Sequence, residues 1–239
     1  MFPGIGILVN VLGIIGGGLL GLGCGRLISE RFQKAIMTSC AVAVIFLGLT
    51  GTVKEMLHVG PNGEMMLVGT NCMLASLIGG AVIGEVINLE DSMDCFGRWL
   101  QQKTGSVGDT RFIDGFVMAS LTVCIGAMAV IGSINDRLLG DPSVLFAKTV
   151  IDAVIVMIMT AALGKGCIFS AISVGIFQGS LFLLAGFLEP IMTAAALKNL
   201  SAVGNILIFC VGTNLFGLPH VRIANLLPAL VIAVLWVLV

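Results

Sequence analysis

Apolar stretches of bilayer length recur along the whole chain, and no other feature restricts its fold as much. A hydrocarbon core about 30 Å thick needs about 20 apolar residues in a helix. Eight such stretches can be read, at approximately 3–24, 35–52, 65–88, 113–132, 144–164, 166–188, 198–217 and 222–239. Of the 239 residues, 58% are hydrophobic and 10% charged, against about 25% charged in a soluble domain. The expected fold is an all-α polytopic membrane protein, a single membrane domain over residues 1–239. The count falls to seven if a re-entrant element replaces a crossing in one of the close pairs, 144–188 or 198–239.

Charge and cysteine usage remove several functional classes. The net charge is −1 and the twelve Lys and Arg residues are scattered, so no basic face exists to bind nucleic acid. Cys24, Cys40, Cys72, Cys95, Cys124, Cys167 and Cys210 form no CxxC pair and have no His at ligand spacing. They read as small buried hydrophobes rather than a metal cage, redox pair or disulfide framework, and no cofactor is expected. The N-terminal Met-Phe-Pro-Gly-Ile lacks a basic n-region and a cleavage site, so the first apolar run is expected to remain as a span. No P-loop, HExxH or GxSxG occurs, His58 and His220 fall at opposite faces, and no nucleophile and base stand as a pair; an enzyme is not expected.

Loops after the odd-numbered stretches carry Arg26, Arg31 and Lys34, then Arg98, Lys103 and Arg111, then Lys165, then Arg222. Lys54, Arg137 and Lys198 lie on the other side. The positive-inside rule puts the first set in the cytoplasm and both termini outside, with Trp236 near the outer interface. Gly60-Pro61-Asn62-Gly63 reads as an outer turn. The one long loop, 89–112, places Leu89, Met93, Phe96 and Leu100 at helical spacing beside Trp99, which predicts a short amphipathic helix in the inner interface. The alternative there is a solvated connector, because Gly97 weakens a helix.

Two internal repeats divide the chain into halves, 1–140 and 141–239. Residues 14–21 match 77–84 at an offset of 63, with Gly16, Gly17 and Gly21 on Gly79, Gly80 and Gly84. The next spans match at an offset of 81, Met37, Ser39, Val42 and Gly51 falling on Met118, Ser120, Val123 and Gly132. In the second half an offset of 53 sets Val150, Asp152, Ile155, Thr160, Gly164 and Ala171 on Val203, Asn205, Ile208, Thr213, Gly217 and Ala224. Repeated hairpins of this kind are common in transporters. The glycine runs have small-xxx-small spacing, which lets helices approach closely in lipid and makes a homo-oligomer plausible; unwinding around a solute is the other reading.

Asp152 is the costliest residue, a carboxylate within the apolar stretch from Val144 to Gly164. An ionisable group at such depth costs roughly 2.5–3.5 kcal/mol on insertion scales, so it persists when paired or useful. Lys148 precedes it at i, i+4, the less favourable order for a helical ion pair. If Lys148 snorkels outward instead, Asp152 is left needing a cation or a proton. Asn10, Asn71, Asp152 and Asn205 each lie six to eight residues from the outer end of an odd-numbered stretch, a shared depth of about 10 Å. Carboxamides and a carboxylate at one level suit a cation or a hydrogen-bonding solute, although shared depth leaves the direction each residue faces open. Gln178 is the next pathway candidate, and Ser133, Asn135 and Asp136 could line an outer mouth. Glu85 and Asp114, at inner ends, read as solvated or paired with Arg111.

The run Arg111-Phe112-x-Asp114-Gly115-Phe116-x3-Ser120-Leu121-x2-Cys124-x-Gly126-Ala127-Met128-x3-Gly132-Ser133, followed by Asp136, Leu139, Gly140 and Asp141, resembles a bacterial membrane-protein family known as domain of unknown function 554. Val9-Asn10 with the glycine run, Ile83-Gly84-Glu85, Phe169-Ser170-Ala171 with Gln178-Gly179-Ser180, and Val221-Arg222-x-Ala224-Asn225-Leu226-Leu227-Pro228-Ala229 also match. The resemblance implies a bacterial inner-membrane protein and no established substrate. Ser173 departs from it, standing where relatives are expected to carry Pro. The residues as a whole point to a transporter or channel for a small ion or polar solute, with Asp152, Asn205, Asn10, Asn71, Gln178 and Lys148 as candidate binding residues. The alternative is a non-transporting scaffold or regulatory partner protein that docks through its glycine faces and amphipathic helix.

Overall fold

The computed structural model describes residues 2–27, 30–60, 63–109, 111–125, 127–219 and 221–238. Pro61, Asn62, Gly126 and His220 lie outside these, as do the side chains of Arg26, Met37 and Cys40. Helices dominate. They are α1 (Ile5–Leu27), α2 (Glu30–Met56), α3 (Thr70–Ile87), α4 (Leu89–Lys103), α5 (Phe112–Cys124), α6 (Ala127–Leu138), α7 (Ser143–Leu163), α8 (Ser170–Leu183), α9 (Ala185–Leu188), α10 (Ala194–Phe216) and α11 (Pro228–Leu235). Short 3₁₀ turns precede α8 (Lys165–Phe169) and α11 (Ile223–Leu226), and a third follows α11.

By length and composition, five helices among the described residues can each cross a bilayer: Ile5–Cys24, Thr70–Ile87, Ser143–Leu163, Lys165–Leu183 and Ala194–Phe216. Their outward faces are apolar, as lipid requires. On α3, Ile78, Val82 and Val86 recur at four-residue spacing and are each more than 60% exposed, a stripe that in water would be buried. The fold is therefore an all-α membrane protein.

The expected span 35–52 lies within α2, which is not one of these five, and three further expected spans take another form. The stretch 65–88 opens as a strand: β2 (Met65–Leu67) pairs antiparallel with β1 (Leu57–Val59), Leu57 opposite Leu67. The helix starts only after Gly69, whose φ of +86° suits glycine. The stretch 113–132 is broken. Ile125 is extended (φ −77°, ψ 125°), which ends α5 at Cys124, and the following helix is bent away by 61°. In the stretch 222–239 the described residues form a 13-residue apolar helix, Ile223–Leu235, followed by a short 3₁₀ turn; the helix is about 20 Å long at 1.5 Å per residue. Pro228 opens α11, since proline has no amide to give to a continuing helix.

Glycines set the helix contacts. α1 runs along α7 with backbones nearly touching: a Cβ on Gly17 would lie 2.2 Å from the Ala153 carbonyl oxygen, and one on Gly21 2.2 Å from that of Met157. Their counterparts at an offset of 63 do the same elsewhere. A Cβ on Gly80 would lie 2.4 Å from the Ala229 nitrogen, and one on Gly84 1.7 Å from the Asn225 oxygen. α2 packs on α10 through Gly48, Gly51 and Gly212. Close approach of this sort replaces the hydrophobic effect as the association force in lipid.

The 89–112 loop does form the expected amphipathic helix, α4. Its apolar side is turned to protein: Leu100 is buried, Leu89 and Met93 pack on the core, and Phe96 meets Phe116 at 5.7 Å between ring centroids. Gly97, a weak point for the helix, is what lets α4 lie against Ile113 and Phe116 of α5.

Candidate functional site

One face of α7 is buried along its length by Leu145, Lys148, Asp152, Val156 and Met159, the three- and four-residue spacing of a helical stripe. The two charged members meet. Lys148 Nζ donates to Asp152 Oδ1 at 2.8 Å and to Oδ2 at 2.7 Å. Lys148 does not snorkel, being 7% exposed against 2% for Asp152. The third N–H of the ammonium donates to the carbonyl oxygen of Val123 at 2.8 Å. That carbonyl belongs to the last turn of α5, where a helix leaves its carbonyls without intrahelical partners and carries partial negative charge. The break at Ile125 thus supplies a ligand for the lysine.

Two further helices reach the pair. From α1, Asn10 Nδ2 donates to Asp152 Oδ2 at 3.1 Å and to Gln178 Oε1 of α8 at 3.3 Å. Asn10 and Gln178 are fully buried. The cluster therefore ties α1, α5, α7 and α8 at one point, about 14 Å along α7 from its first residue. Its formal charges cancel, as burial demands. Asn10 Oδ1 and Gln178 Nε2 nevertheless have no hydrogen-bond partner among the described residues. An acceptor and a donor are left open inside a sealed interior, where each unmade bond costs about 1–3 kcal/mol.

The other predicted site residues lie elsewhere. Asn71 is exposed in the first turn of α3; the late start of that helix removes the depth counted from residue 65. Asn205 faces α2, where a Cβ on Gly51 would lie 2.5 Å from its Cγ, and its Nδ2 reaches Ser201 Oγ at 3.5 Å. Asp152 and Asn205 align in sequence at the offset of 53, but their helices pack on different partners, α1 and α2. Asp136 is buried rather than lining a mouth: its Oδ1 and Oδ2 accept from the amides of Gly4 at 3.2 Å and Gly6 at 3.0 Å, capping α1. Ser133 Oγ donates to its own helix at Ala129 O, 2.7 Å away. Asn135 lies beside a cavity lined also by Glu189 and Leu139.

At the opposite end, Glu85 pairs with Arg222, Nη1 to Oε2 at 2.8 Å, rather than with Arg111. Asn225 Nδ2 donates to Glu85 Oε1 at 2.8 Å and its Oδ1 accepts from the Glu90 amide at 2.8 Å, so α3, α4 and the turn before α11 are locked together. Beside this lock is a cavity of about 250 Å³ lined by Glu90, Asp91, Asp94, Asp114, Asn214 and Arg222. Asp141, outside the membrane helices, accepts from the Ser143 amide at 3.0 Å; that bond holds its carboxyl below the usual carboxylate range.

Side-chain reading misses the Val123 carbonyl, because every residue has one. Its trace in the sequence is Gly126, well within the apolar stretch 113–132, where glycine makes a helix easier to interrupt.

Fold and cluster together define a polytopic helical membrane protein with a paired charge buried among its helices. Residues 5–238 match the family described as protein of unknown function (DUF554), and the chain belongs to that family. It is 24% identical over 227 residues to the uncharacterized membrane protein YdfK of Bacillus subtilis (strain 168), covering 95% of this chain and 93% of the relative. It is 26% identical over 233 residues to the uncharacterized protein YqgA of Escherichia coli (strain K12), covering 96% and 94%. No solved structure matches it.

Proposed function

We propose that the protein is a non-enzymatic transporter or channel that moves a small ion or polar solute across the bacterial inner membrane, with Asp152, Lys148, Asn10 and Gln178 at its binding level. One observation carries this: four helices converge on a buried ion pair beside a helix break, and an acceptor and a donor of that cluster stay open. Ionisable groups at membrane depth mark ion and substrate pathways, and interrupted helices put free backbone carbonyls there. Reconstituted protein is expected to move at least one solute of an ion and metabolite panel faster than empty liposomes do, and Asp152→Asn is expected to abolish that flux. Equal rates for wild type, variant and empty liposomes would remove the proposal.

A second reading, a scaffold or regulatory partner protein without transport, is favoured by the satisfaction of all three Lys148 donors within the protein. The flux panel separates the two. The transport reading extends to an eight-crossing topology with both termini outside. It also includes a repeat relating the two halves of 141–239, supported by α7 and α10 ending 53 residues apart at Gly164 (φ +91°) and Gly217 (φ +86°), each followed by a 3₁₀ turn and a helix.

A further inference from the structure

We infer that a further cavity, between the end of α2 and the starts of α3 and α10, binds a small zwitterion: an ammonium and an anionic group joined to an apolar body. The cavity has a volume of about 260 Å³. Pockets for drug-sized ligands run to about 300–1,000 Å³, so this one suits a smaller solute. It shares no residue with the Asp152 cluster. The inference therefore goes beyond the transport reading and does not rest on it.

Two charges are its basis. Glu55, in the last turn of α2, and Lys198, the fifth residue of α10, line the cavity together and are both partly buried. They do not pair with each other. Among the described residues the Lys198 side chain has no ion-pair or hydrogen-bond partner, while Glu55 accepts a bond from Ser201 Oγ at 3.4 Å. Neither charge serves its own helix. A carboxylate is unfavourable at a helix C-terminus, where the free carbonyls are already negative, and an ammonium gains nothing near an N-terminus. An acid and a base thus stand at the wrong ends of their helices, partly withdrawn from water, and border one space.

A ligand carrying both charges complements that arrangement. Its ammonium meets Glu55, its anionic group meets Lys198, and it brings in no net charge. Hydrogen bonds between ionised groups are about twice as strong as neutral ones, whereas a singly charged solute leaves one of the two side chains without a partner. Asn199, next to Lys198, also lines the cavity, and its carboxamide can donate or accept. Much of the remaining wall is apolar, with Met56, Met73 and Val203, which fits an apolar body rather than a polyol. Two sources share this chemistry: a free amino acid with an apolar side chain, and the phosphoethanolamine headgroup of a membrane lipid.

Calorimetric titration of delipidated full-length protein in detergent separates them. The zwitterions are valine, leucine, methionine and glycerophosphoethanolamine. The controls are the N-acetyl forms and methyl esters of the amino acids, with glycerol phosphate and ethanolamine for the headgroup, each lacking one of the two charges. At least one zwitterion is expected to bind, and at least about tenfold more tightly than its singly charged analogues, a difference of about 1.4 kcal/mol. Binding of an amino acid assigns the site to the free solute; binding of glycerophosphoethanolamine alone assigns it to the lipid. Glu55→Gln and Lys198→Met are each expected to weaken that binding by at least about tenfold, and Lys54→Gln, at an exposed position beside Glu55, to leave it unchanged. The comparison of analogues on wild type needs no variant to fold. No binding of any zwitterion, equal binding of a singly charged analogue, or binding that survives both Glu55→Gln and Lys198→Met overturns the inference. Asp152-dependent flux tests the transport reading separately, so either can fail alone.

Discussion

Lys148 and Asp152 are costly singly and tolerable together, which gives the pair a measurable signature. Removing one partner of a buried ion pair costs about 3–5 kcal/mol, while replacing both with apolar residues is neutral or stabilising by about 1–4 kcal/mol. Lys148→Met is therefore expected to lower the unfolding free energy by about 3–5 kcal/mol, and Lys148→Met with Asp152→Leu to restore it, as read by SDS unfolding from detergent micelles. A single variant as stable as wild type would mean that the pair carries no buried charge. If the double variant folds and does not transport, the charges serve function rather than packing. Lys before Asp is the poorer order for an exposed helix, and here the Val123 carbonyl and burial outweigh that local preference.

The helices are assembled by glycines that act individually, as the triplet Gly16-Gly17-Gly18 makes plain. A Cβ at Gly17 would collide with the backbone of α7, whereas one at Gly16 meets nothing within 4 Å. Gly17→Ala is expected to separate α1 from α7 and destabilise the protein by about 1–3 kcal/mol, the usual cost of overpacking. Gly16→Ala is expected to be neutral or to add up to about 1 kcal/mol from helix propensity. Thermal unfolding of the two variants in one detergent decides it, and equal effects would contradict the α1 and α7 contact. The same contact sets which way Asn10 faces, so Gly17→Ala is also expected to weaken flux. Broken elements matter as much as packed ones: α5 ends where Ile125 becomes extended, and that end supplies the carbonyl to Lys148.

Across the whole molecule, the hairpin after α2 and helix α4 belong on opposite sides of the membrane if the basic loops are cytoplasmic. With the seven native cysteines replaced, Glu64→Cys is expected to react with a membrane-impermeant thiol reagent in intact cells, and Gln102→Cys only after lysis. Both residues are exposed; the reverse pattern would invert the topology and put the termini inside. The long apolar stretches, the amphipathic 89–103 segment and the Lys148–Asp152 pair were legible in the sequence, because hydropathy and i, i+4 neighbours are properties of the chain itself. Asn10 and Gln178 were legible as polar residues at depth, but counting along a helix gives height and leaves rotation undetermined. That is why Asn205, at the right height, faces α2. Asn71 lost its depth when residues 65–67 paired as a strand. The sequence alone determined a helical membrane protein with one expensive carboxylate at Asp152. Only the tertiary structure decided which groups share that carboxylate's company, because convergence depends on how each helix is rotated against its neighbour, and backbone contacts such as Gly17 on Ala153 set that rotation across more than a hundred residues of chain.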